Sequence, residues 1–148
     1  MDIQTMLNEV RDGKKLTKNK IVVGTLDDNV ISFLSNRGIA VHTREIYLTS
    51  KSLSHLARES KKRRGAGISD VDILNIPKIL MSPSIIKIDK RKEKLNLIYC
   101  ISKECKSVIK VVVDTKFIWR GDKLSVVKTA GYVTIDNISG DKNYEDVV

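Results

Sequence analysis

At 148 residues the chain is of single-domain length, and its 41% hydrophobic and 30% charged residues exclude a disordered polymer. A net charge of +9 and an isoelectric point of ≈ 9.6 exclude an acidic binder of basic targets. They leave a polyanion, either nucleic acid or an acidic protein, as the natural counterpart, with plain solubility as the bland alternative.

In chain order, Met1–Asn19 reads as an N-terminal extension with a short helix through Ile3, Met6, Leu7 and Val10, broken at Gly13-Lys14-Lys15. Lys20–Gly24 (KIVVG) is a β-branched run and predicts a strand. Thr25 or Asp27 can cap a following helix that turns Val30, Ile31 and Leu34 inward and stops near Gly38. Ile39–Leu48 is expected to be extended. Thr49 or Ser50 can then cap a helix running toward Gly65, with Leu53, Leu56 and Ala57 on one face. Lys51, His55, Arg58, Glu59 and Lys62 fall on the other face. Ser69 begins S-D-V-D, close to a capping box, and Pro77 suits the first turn of another short helix ended before Pro83.

The second half changes period. Ile85–Ile88, Leu95–Ile101, Val108–Val113, Phe117–Trp119, Leu124–Thr129 and Tyr132–Ile135 are short β-rich runs separated by polar turns. The expected fold is α+β. N-terminal helices pack on one face of a twisted antiparallel sheet of roughly four to six strands, formed mainly by the C-terminal half. The whole of 1–148 is read as one domain, with a 20–139 core and a 140–148 segment that is either a loose tail or an edge strand.

Six positive side chains lie between Lys51 and Arg64, with Arg63 and Arg64 at the end, against Glu59 alone. Lys87, Lys90, Arg91, Lys92 and Lys94 form a second basic cluster. Cys100 and Cys105, with no histidine nearby, suit neither a disulfide framework nor zinc; free thiols in a reducing compartment are expected. The polar N-terminal stretch predicts no signal peptide, and no apolar run is long enough to span a bilayer. Dinucleotide, P-loop and nucleophile-elbow patterns are absent, and no Asp/Glu/His cluster suggests a two-metal nuclease, so no cofactor or metal is expected.

One metal-free chemistry remains within reach: cleavage of RNA by its own 2′-hydroxyl. It needs a proton-transfer group, cations for the phosphorane and a hydrogen-bond donor to orient the phosphate. His55 supplies the residue type that ordinarily titrates near neutral pH. Lysines, arginines and a strand hydroxyl can supply the rest.

The order of KIVVG at Lys20–Gly24, IYLTSKSLSHLARE at Ile46–Glu59, ILNIPKILMSP at Ile73–Pro83, LNLIYC at Leu95–Cys100, VIKVVVD at Val108–Asp114 and VVKTAGYV at Val126–Val133 resembles one known family. It is the phage-associated branch of the barnase–EndoU–colicin–RelE (BECR) nuclease superfamily. The resemblance covers most of the chain and lies in the order of the motifs. It implies a small metal-independent ribonuclease of toxin type, acting in the cytoplasm on structured RNA such as tRNA, with an acidic immunity or antitoxin protein as partner. Carried over by position, it makes His55 the helical catalytic residue and Thr129 the polar group of the late strand. Lys110, or in second place Lys106, becomes the basic residue of a central strand, and Lys51 a phosphate contact. The family's second histidine has no counterpart, since His42 reads as a surface or core residue. Lys110 and Glu59 remain candidates for the second acid or base.

Arg58, Lys62, Arg63, Arg64 and Lys87 are candidate RNA contacts. Tyr132 can stack on a base or serve as a residue at the edge of the core. Trp119 reads as packing. Lys128 and Thr129 alternate, so only one of them faces a common site unless a bulge intervenes. A non-catalytic RNA-binding module accounts equally for the charge, as does an interaction domain docking an acidic partner.

Overall fold

The computed structural model describes residues 2–13, 19–62, 68–91, 95–102, 107–139 and 143–147, with 59–62 as backbone. Helix α1 (Ile3–Arg11) begins where the Asp2 carboxylate accepts the Thr5 amide at 2.8 Å, and it buries Ile3, Met6 and Leu7. Strand β1 (Lys20–Thr25) leads to α2 (Asp28–Asn36), which ends as the chain turns through Gly38 at φ +72°. Strand β2 (Glu45–Thr49) runs directly into α3 (Ser50–Lys62), whose cap is Thr49: its Oγ1 accepts the Ser52 amide at 3.2 Å. Helices α4 (Asp70–Leu74) and α5 (Ile76–Met81) follow. Ser69 caps the first, and Pro77 stands in the first turn of the second. The remaining elements are β3 (Ile85–Asp89), β4 (Leu97–Ser102), β5 (Ser107–Trp119), β6 (Asp122–Thr134), α6 (Ile135–Ile138) and β7 (Tyr144–Asp146).

The strands form one seven-stranded sheet in the order β1-β2-β6-β5-β4-β3-β7. The α+β class is as expected, but the sheet is wider than the sequence predicted and not wholly antiparallel. β1 and β2, from the N-terminal half, join it through a parallel pairing of Ile46–Tyr47 with Ser125–Val126. Ile46 and Leu48 point inward and are fully buried, so this docking prolongs the core along the sheet. Gly24 lies at a register shift in β1, where a Cβ would stand 3.2 Å from Leu80 of α5, so glycine permits the helix to approach.

The two long strands each absorb a pair of predicted runs. Asp114–Lys116 does not break β5. It forms an irregularity there, steadied by Thr115 Oγ1 donating to the Ala40 carbonyl (2.7 Å) and by the His42 amide donating to the Thr115 carbonyl (2.8 Å).

The two sheet faces differ. Ile109, Val111 and Val113 of β5, Val127 and Ala130 of β6, and Leu97 and Tyr99 of β4 join the main core with helices α1–α5. Leu53, Leu56 and Ala57 of α3 are buried there, as the helical periodicity predicts. The opposite face carries a small second cluster in which Ile138 of α6 packs with Ile98, Cys100, Val108 and Tyr144. α6 is therefore a helix on the side that the sequence left bare. The C-terminal segment resolves as an edge strand: β7 pairs with β3.

Candidate nucleic-acid interface

Helix α3 presents its polar side outward because its apolar side is taken up by the sheet. His55 is exposed there, with Lys51 one turn before it and Arg58 one turn after. Arg58 also borders a shallow hollow of ≈ 170 Å³ between α1 and α3, with Val10, Arg11, Ser54 and Ala57. Arg11 itself is paired with Asp70 at 2.6 Å. The side chains of Glu59 and Lys62 lie outside the described residues, as do Arg63, Arg64 and Lys106.

Thr129 and Lys110 are on the other side of the sheet. Thr129 pairs with Val112, which packs in the α6 cluster, and Lys110 pairs with Cys100 and Gly131. Opposed residues in a ladder share a face, so both side chains stand on the face away from α3. The structure thus brings Lys110 and Thr129 together as diagonal neighbours, and Lys51, His55 and Arg58 together. It separates the two groups by the thickness of the sheet.

A bulge alters the expected alternation on β6. Val112 pairs with Thr129 but Val113 pairs with Val127, which leaves Lys128 out of register. Val127 faces the core, yet the Lys128 ammonium lies 4.0 Å from Asp114 and 5.6 Å from the Phe117 ring centre. Lys128 and Thr129 therefore share the face away from the helices.

The other candidates are engaged structurally. Lys87 is buried on that same face, and its ammonium pairs with Asp146 of β7 at 2.7 Å. Tyr132 points into the helix layer. Its hydroxyl donates to the Asp72 carboxylate and accepts the Ser69 amide at 3.2 Å, which ties the start of α4 to β6. His42 Nδ1–H donates to the Phe117 carbonyl at 3.1 Å and holds the segment before β2 against the hairpin. The Cys100 thiol is pushed up to about 11 by burial, with Lys87 and Lys110 pulling the other way, so it is a poor nucleophile near neutral pH. Among the described residues, no three His, Cys, Asp or Glu side chains gather as a metal site would require. None of the described helices is long and apolar enough to cross a membrane.

One feature gave no sequence signal. Lys20 lies against two rings, 5.8 Å from the centre of Tyr47 and 5.1 Å from that of Trp119, and Arg120 lies 5.8 Å from Trp119. These residues come from β1, β2 and the β5–β6 hairpin and are distant in the chain, so only the sheet order assembles them.

No protein-family model, curated protein or solved structure matches the chain.

Proposed function

We propose that this protein is a metal-independent endoribonuclease of toxin type that acts on structured RNA, with tRNA the leading substrate class. The observation that carries the reading is the exposed His55 set between Lys51 and Arg58 on α3. An imidazole in reach of solvent can pass a proton to or from substrate, and cations a turn away on either side can hold the phosphate and offset charge on the phosphorane. In the reaction, the 2′-oxygen gives up its proton and bonds to phosphorus. The 5′-oxygen then leaves with a proton, giving a 2′,3′-cyclic phosphate and a 5′-hydroxyl. His55 serves one of the two proton transfers. Lys110 and Thr129, across the sheet, do not share that phosphorane with His55 in this arrangement. An acidic immunity protein is the partner that would mask such a surface.

The test is incubation of purified protein with total RNA in EDTA. Discrete fragments ending in cyclic phosphate are expected, and His55→Ala should slow their formation on the order of 10²–10⁴-fold with the fold retained. Cleavage that persists at full rate in His55→Ala, or that stops on adding EDTA, would sink the mechanism. The separation of Lys110 and Thr129 from His55 favours a second reading, an RNA-binding protein without catalysis. Retarded but intact RNA in the same experiment would establish it.

A further inference from the structure

We infer that the half of the sheet face left bare by α6 is a base-stacking surface for single-stranded RNA, built on Tyr47, Trp119 and Phe117 and rimmed by Lys20, Lys128 and Arg120. The inference rests on the proposal that the protein acts on RNA, and it adds a surface on the opposite side of the sheet from His55.

Val22, Tyr47, Val126 and Asp114 form one row across β1, β2, β6 and β5. Helices α1–α5 pack on the other face, and α6 packs toward the Ile98–Cys100–Val108 end. Within the row Val22 is 54% exposed and Tyr47 and Asp114 are half-buried, while Val126 is buried between them. Tyr47, Phe117 and Trp119 are each half-buried, held by the sheet with part of the ring outward. Cations already rest on these rings: Lys20 on Tyr47 and Trp119, Arg120 on Trp119, and Lys128 on Phe117.

That pairing is the chemistry a single strand requires. Every base has a π-face to place on an aromatic ring, and every linkage has a phosphate for an ammonium or guanidinium. Lysine stems are flexible, so a base can take over the ring while the displaced ammonium swings to the adjacent phosphate. Asp114 is the carboxylate of this row, and Lys116 (3.4 Å) and Lys128 (4.0 Å) offset it. Glu45, two residues before Tyr47, and Asp122, the ladder partner of Trp119, add carboxylates to the same face, where Lys20, Lys110, Lys128 and Arg120 outnumber the acids. Duplex RNA keeps its bases stacked internally and offers no ring to the strip.

Trp119 is the sole tryptophan of the chain, so its emission reports on the strip directly. The probe is a 2′-O-methyl oligouridylate, which has no free 2′-hydroxyl and cannot be cleaved by transesterification. Its binding is followed in parallel by the anisotropy of an end label. Titration should quench Trp119, salt should reverse the quenching, and a 2′-O-methyl duplex should quench far less. Tyr47→Ala should weaken binding roughly 5- to 100-fold through the lost stack. Lys20→Gln and Lys128→Gln should each lower the salt slope by about one. Circular dichroism melts check that the variants fold, and quenching of the unaltered chain tests the inference without them. If the oligomer binds by anisotropy while Trp119 emission stays unchanged, the strip is not the surface and the inference fails, though the protein still acts on RNA. If neither this oligomer nor total RNA binds, the reading beneath it fails as well. Equal quenching by polyglutamate would give the strip to an acidic protein and overturn the inference.

Discussion

Burial alone would lift the Asp89 carboxyl, but hydrogen bonds from the Arg91 side chain and amide, with the charges of Arg91 and Lys110, outweigh it and hold the group below the ordinary carboxylate range. A folded value below the unfolded one contributes stability that is full above the unfolded pKa, about 3.9, and fades as pH falls through the lower folded value. Arg91→Ala should therefore cost roughly 0.5–1 kcal/mol at pH 7, discounted because the guanidinium is 47% exposed. The cost should begin to shrink as pH falls below about 4 and be lost only once pH has passed the lower folded value of Asp89, leaving the lost contact with the Tyr144 ring. Urea unfolding at pH 7 and pH 3 measures it, and equal costs at the two would remove Asp89 as the cause. At this scale the sequence was informative where geometry is local. The exposure of His55 followed from its distance in residues from Leu53, Leu56 and Ala57. The facing of Lys128 and Thr129 did not, because it turns on a register shift against β5 that no property of K-T-A encodes.

β7 is three residues long, yet it closes one edge of the sheet through side chains as much as through its ladder. Arg37, at the end of α2, grips Glu145 with both arms. Asp146 meets the Lys87 ammonium, and there the exposures decide what the pair does: 6% for the lysine side chain against 69% for the aspartate. The lysine has given up water and depends on its partner, whereas the aspartate has not. Asp146→Ala should thus cost about 1–3 kcal/mol by leaving a buried donor unmatched. Lys87→Met in that background should restore most of the loss, since an apolar side chain of similar length has no such need. Denaturant midpoints of the two variants decide it; a double variant no more stable than Asp146→Ala would show that packing, not the charge, was lost. The basic cluster from Lys87 onward reads as a surface for a polyanion, with Lys87 a candidate RNA contact, because its cations gather in sequence. Alternation along β3 places Lys87 under the C-terminal strand instead. The helices were easier to read: the caps at Thr49 and Ser69 are local hydroxyl-to-amide contacts. The α6 turn offered too few residues for a periodicity to show.

Among the described residues, cations stand on both sides of the sheet. Lys51 and Arg58 stand on the outer side of α3, while Lys20, Lys110 and Lys128 stand on the opposite face of the strands. A helix layer lies about 10 Å from a sheet and adds roughly 5 Å of its own outer radius. The two surfaces are therefore some 15–20 Å apart, with a packed core between them. A short single strand of ~4 nucleotides can engage only one surface, whereas a folded RNA of tRNA size can bend around a sheet edge and touch both. The expected outcome is a length-dependent additivity. For tRNA, Lys51→Ala/Arg58→Ala and Lys20→Ala/Lys128→Ala should each weaken binding, and their effects should add in the quadruple variant because the sites share no contacts. The salt slope should fall by roughly one per cation removed. For a tetranucleotide, only the Lys20/Lys128 pair should matter. Filter binding of both ligands across a salt series measures this. Losses on tRNA confined to one pair of variants would mean that RNA lies on a single face and that the charge on the other serves solubility alone.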